Sequence, residues 1–109
     1  MNTLVEKKRD ALGQLCRRFK VRRLALFGSA SKGNFNTESS DLDFLVTLEE
    51  QPPGEYAHCY LGLANALEQL FERRVDLVTE ASIRNPYFRQ AIEATQELVY
   101  EDRDQEAAA

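Results

Sequence analysis

The residues from Asp41 to Leu48 alternate without a break. Leu42, Phe44, Val46 and Leu48 fall on one side of an extended chain and Asp41, Asp43, Leu45 and Thr47 on the other, the period of two that a β-strand imposes. One face of such a strand must be buried, and the other opens with two acids. Two residues apart, the carboxylates of Asp41 and Asp43 point the same way from Cα atoms roughly 6.5 to 7 Å apart. Neighbouring anions at the start of a buried strand repel each other unless a cation neutralises them. Asp76 repeats the theme within Arg74-Val75-Asp76-Leu77-Val78; if this second strand lies beside the first, three carboxylates converge. Such a set, with open positions, suits Mg²⁺, which keeps some waters and takes phosphate oxygens as further ligands.

The rest of the chain supplies elements to pack against these strands. Leu4, Ala11, Leu12, Leu15, Cys16 and Phe19 recur at helical spacing between charged residues, which predicts an amphipathic helix near residues 2–19. Val21 to Phe27 reads as a buried strand ended by Gly28, and the polar stretch that follows it as a surface loop. After Gln51-Pro52-Pro53-Gly54, a helical stripe of Tyr56, Cys59, Tyr60, Leu63, Leu67, Leu70 and Phe71 runs from Glu55 to Glu72. Asn85 before Pro86 is a helix start, and Phe88, Ala91, Ile92, Thr95 and Val99 are expected to continue that helix. The order is helix, strand, loop, strand, helix, strand, helix. It predicts an α+β fold, a small mixed sheet with helices packed on one side, forming a single domain over residues 1–100 with a frayed tail over 101–109.

Composition narrows the chemistry. With 109 residues, 43% of them hydrophobic and 29% charged, the chain has room for one modest core. No apolar run approaches a membrane span, and charges enter the N-terminal segment from Glu6 onward, so a soluble, cytoplasmic protein is expected. Cys16 and Cys59 lie far apart among apolar residues at helical spacing and are expected to be reduced and buried. His58 is the single histidine; with no His/Cys cluster, any metal must be held by oxygen. A formal charge of −4 argues against nucleic acid as the main partner.

Gly28-Ser29, directly after a strand, offers a backbone that can approach a phosphate closely and a hydroxyl to bond it. Other phosphate and cation motifs fail. Gly28 and Gly33 have Walker A spacing, but Asn34-Phe35 stands where Lys and Ser or Thr are required. The calcium loop fails because Phe44, Leu45 and Val46 occupy positions that need ligand oxygens and a glycine.

Taken together, Leu26-Phe27-Gly28-Ser29, eleven intervening residues, Asp41-Leu42-Asp43 behind Ser39-Ser40, and Val75-Asp76-Leu77-Val78 resemble the minimal nucleotidyltransferases of the DNA polymerase beta superfamily. The resemblance covers roughly residues 20–100. It implies a nucleotidyltransferase fold and transfer of a nucleoside monophosphate, AMP from ATP, with two Mg²⁺ ions. Carried over by position, Asp41, Asp43 and Asp76 match the metal-binding catalytic acids, the last also helping to activate the acceptor hydroxyl. Gly28 and Ser29 match the triphosphate-binding pair. Lys32 stands where many relatives have arginine, which keeps the charge but loses a planar two-point grip on phosphate. Such proteins are commonly antitoxins of HEPN-domain ribonuclease toxins, and several modify a toxin tyrosine, so a HEPN-type toxin is the expected partner.

The alternative is a binding module of the same fold that neutralises a toxin by covering its surface. Other residues read as structural. The basic run Arg17, Arg18, Lys20, Arg22 and Arg23 sits at a helix C-terminus, where cations are favoured by the dipole. His58 reads as a surface or boundary residue, and Tyr56 and Tyr60 as packing residues.

Overall fold

The computed structural model describes residues 3–28 and 42–102. Strands β1 (Val21–Phe27), β2 (Leu42–Leu48), β3 (Val75–Thr79) and β4 (Glu97–Glu101) form one sheet in the order β3-β2-β1-β4. β1 pairs antiparallel with β2 and β4, whereas β2 and β3 run parallel. Parallel neighbours need a long crossover, and α3 (Pro53–Phe71) supplies it. Pro53 at the first helical position starts this helix with a preset φ. Glu72, left-handed at φ 54°, ends it with its N–H bonded to the Glu68 carbonyl.

One face of the sheet carries the main core. Leu24, Leu26, Leu42, Phe44 and Val46 lie there, wholly buried beneath Leu63 and Leu67 of α3 and Leu12 and Cys16 of α2 (Arg9–Arg18). Cys59, Leu63, Leu67 and Phe71 recur every four residues along α3, so one stripe of the helix meets the sheet. The expected first helix is divided at Lys8 into α1 (Thr3–Lys7) and α2. Both thiols are free and buried, and burial pushes the Cys16 thiol up to about 12 from its ordinary 9.0 despite the opposing charge of Arg17.

Two features differ from the sequence expectation. Helix α4 (Pro86–Thr95), capped by the Asn85 side chain accepting from the Tyr87 N–H at 2.8 Å, packs on the opposite face. There Ile92, with Ile83, covers Ala25, Phe27 and Leu45, because that face is apolar beyond its acidic end and needs shielding from water. Helices therefore flank both sides of the sheet. The second difference is β4. Val99 is spaced four residues from Thr95 as a helix would have it, yet the chain leaves helical geometry at Gln96 (φ −66°, ψ 143°) and enters β4, where Glu97, Leu98, Tyr100 and Glu101 pair with β1 and Val99 falls at an irregularity between them. A free strand edge at β1 outweighs the helical spacing there. Glu101, expected in the tail, is the last residue of this strand.

One outer edge of the sheet is β3. Arg74 accepts from the Leu42 N–H at 3.1 Å, so the alternating backbone groups at 75, 77 and 79 face away from β2. Side chains meet three of them. Glu68 of α3 accepts from the Val75 N–H at 3.2 Å, the Tyr60 hydroxyl donates to the Leu77 carbonyl, and Ser82 donates to the Thr79 carbonyl at 2.8 Å. Among the described residues no helix is long and apolar enough to cross a membrane.

Leu63→Ala should lower the free energy of unfolding by about 2–5 kcal/mol, read as a reduced urea midpoint at unchanged slope. Cys16 should resist alkylation at pH 8 in the native protein and react fully in denaturant. Because its folded pKa is raised, the stability it contributes is present below pH 9 and is lost as pH rises from about 9 towards about 12.

Candidate active site

Asp43 and Asp76 are direct register partners across the parallel β2–β3 pair. Parallel strands lie about 4.8 Å apart, and partners at the same register project from the same face, so the two carboxylates rise side by side. Phe27 is the partner of Asp43 on the other flank. A row of Phe27, Asp43 and Asp76 therefore crosses three strands, on the face that α4 covers further along the sheet. The separation of these acids by more than thirty positions in sequence is closed entirely by the α3 crossover.

Immediately after Phe27 the chain turns. Gly28 has φ +78°, and a Cβ at this position would lie 2.8 Å from Asp43 Oδ2. Both the left-handed backbone and the approach of the carboxylate disfavour an ordinary side chain, which would be strained and would displace Asp43. The Gly28 N–H donates to Thr95 Oγ1 at the end of α4, at 3.2 Å. At the start of α4, Phe88 sets its ring edge-on to Phe27 with centroids 6.1 Å apart.

These groups line a cavity of about 530 Å³. Asp43 and Asp76 are its acidic lining, and Phe27, Tyr60, Val75, Leu77 and Phe88 are among its other walls. The short 3-10 turn Glu80–Ser82, directly after β3, is tied to its neighbours: Glu80 accepts from the Thr47 hydroxyl at 3.1 Å and pairs with Arg89 of α4 at 3.7 Å.

Of the residues singled out from sequence, Gly28, Asp43 and Asp76 are brought together here. Ser29, Lys32 and Asp41 lie outside the described residues. Among the described residues no group of three His, Cys, Asp or Glu side chains gathers to hold a metal; Asp43 and Asp76 make a pair. His58 is exposed on α3 and does not line the cavity, whereas Tyr60 does. Tyr60, Phe88 and Thr95 were not legible as site residues, because each satisfies a helical stripe and nothing local separates wall from core.

Residues 8–99 match the family described as the nucleotidyltransferase domain. The chain belongs to this family. A Methanocaldococcus jannaschii relative whose assigned name is protein adenylyltransferase is 40% identical over 83 residues, covering 76% of this chain and 79% of its own. Protein adenylyltransferase MntA of Thermococcus cleftensis is 39% identical over 72 residues, covering 66% of this chain and 69% of its own. In fold, the nucleotidyltransferase also resembles a solved complex of a tri-AMPylated Shewanella oneidensis HEPN toxin with its MNT antitoxin. That likeness has a TM-score of 0.61 at 19% identity, over 94% of this chain and 77% of the solved one.

Gly28→Ala tests how tightly the acids are set. The left-handed φ should cost the folded nucleotidyltransferase about 1–2 kcal/mol, seen as a lower thermal midpoint. The added methyl must also push Asp43 aside, so ATP titrated in the presence of Mg²⁺ should bind more weakly than to the parent.

Proposed function

We propose that this nucleotidyltransferase transfers AMP from ATP to a tyrosine hydroxyl of a HEPN-domain toxin and acts as that toxin's antitoxin. The observation that carries the reading is the pairing of Asp43 with Asp76 at one register position, against a turn at Gly28 whose left-handed backbone favours glycine. The relatives' names supply the transferred group, and the solved toxin complex supplies the class of acceptor.

Two adjacent carboxylates with only oxygen to offer are a fitting donor set for Mg²⁺. Asp41, Asp43 and Asp76 would hold it. When bound, the ion offsets triphosphate charge and lowers the pKa of a coordinated hydroxyl.

The chain's own groups do the remainder. Gly28 and Ser29 bind the triphosphate through backbone N–H and hydroxyl, and Lys32 adds a single positive charge. Phe27 and Phe88 shield one side of the cavity from water, so the charged groups interact in a less polar medium than bulk solvent. Asp76, exposed on the edge strand, faces an incoming acceptor and takes its proton. The acceptor oxygen then bonds to the α-phosphorus, the bond from that phosphorus to the pyrophosphate oxygen breaks, and pyrophosphate leaves.

Intact mass of a purified HEPN-domain partner, taken after incubation with ATP and Mg²⁺, checks this. The parent chain should add one or more AMP groups, and Asp41→Asn with Asp43→Asn should add none, a loss of several kcal/mol of transition-state stabilisation. If the double variant still silences the toxin and the parent adds no mass, the chain acts by covering its partner.

A further inference from the structure

The Thr95 hydroxyl sits at the last residue of α4, 67 positions from Gly28, and accepts the Gly28 N–H at 3.2 Å. Its own proton is committed within the helix, to the Ala91 carbonyl at 3.0 Å with the Ile92 carbonyl at 3.4 Å. A hydroxyl whose donor is spent in this way presents a lone pair in a fixed direction. It is therefore a rigid acceptor for one particular backbone amide.

The amide it receives belongs to the residue where β1 becomes the glycine turn. The turn and the acid are already in contact distance, since Asp43 Oδ2 stands 2.8 Å from the position a Gly28 Cβ would take. Rotation of the Gly28 peptide would thus alter both the exit direction of the chain and the space left to Asp43. The helix that carries Thr95 is itself pinned against the same strand end. Ile92 packs with Phe27, the Phe88 ring meets Phe27 edge-on, and β4 follows directly with Glu97 in register with Leu26. Thr95 hence stands on a platform that cannot drift relative to β1.

We propose that Thr95 is a positioning residue for nucleotide binding: its hydroxyl fixes the Gly28 peptide, and through it the start of the phosphate-binding turn and the seat of Asp43. The inference rests on the reading of Gly28-Ser29 as the triphosphate-binding pair. It assigns to the C-terminal end of α4, which touches no phosphate, a share in phosphate affinity.

Thr95→Val keeps the β-branched shape and removes the hydroxyl, whereas Thr95→Ser keeps the hydroxyl. ATP affinity with Mg²⁺, measured by calorimetry well below each variant's thermal midpoint, should fall roughly three- to tenfold in Thr95→Val, the worth of one hydrogen bond. Thr95→Ser should stay within about twofold of the parent. A hydroxyl serving only helix stability would lower the midpoint of Thr95→Val and leave the affinity of the folded protein unchanged, and that result would overturn the proposal. So would equal weakening in both variants, or a parent chain that binds no ATP. A parent that binds ATP but adds no AMP to a HEPN partner counts against the transfer reaction alone; the affinity comparison still decides the role of Thr95.

Discussion

The parallel pairing of β2 with β3 is the constraint on which the site depends. An antiparallel or shifted neighbour would set some other residue beside Asp43. The observed register sets Asp76 there, two like charges about 4.8 Å apart at their Cα atoms. Like charges directly opposite on a sheet destabilise it, so the fold holds this arrangement against its electrostatic preference. It does so with the apolar residues that alternate with the acids. Leu42 and Phe44 flank Asp43, Val75 and Leu77 flank Asp76, and all four are buried on the other face under α2 and α3. A one-residue slip of either strand would turn these side chains into water, a larger penalty than the repulsion it would relieve.

The same division of labour separates the two faces of the sheet. One face holds the main core and carries the cost of ordering the chain. The other is sparsely covered, by Ile92, Ile83 and their neighbours, and the cavity reaches it around β3, lined by Phe27, Asp43 and Phe88 from this side and by Tyr60, Val75 and Leu77 from the side of the main core. Gly28 joins the two demands, since it ends a strand of the core and is the point of closest approach to Asp43.

Much of this was legible in the sequence where a residue pattern had only one physical solution. The alternation from Asp41 to Leu48 fixed which side chains of β2 share a face, the stripe through Cys59, Leu63, Leu67 and Phe71 fixed the buried side of α3, and Asn85-Pro86 fixed the start of α4. The pairing of Asp76 with Asp43 followed only conditionally, because no local pattern states which strand lies beside which. Three features were not legible. Val99 suits a helix and a strand equally, and the vacant edge of β1 decides between them. The placement of α4 on the second face depends on Ala25, Phe27 and Leu45, which read equally well as members of strands buried on a single side. The hydrogen bond from Gly28 to Thr95 spans 67 positions and has no signature at either end.

At the β3 edge, Glu68, Tyr60 and Ser82 answer the backbone groups of Val75, Leu77 and Thr79. Exposed strand edges are templates for recruiting further strands, and on this one the Val75 N–H and the Leu77 and Thr79 carbonyls are already engaged by side chains. An added strand would have to displace Glu68, Tyr60 and Ser82 from these groups, so approach to the acids over the face of the sheet, side chain first, disturbs less of the structure than a backbone zipped alongside Asp76.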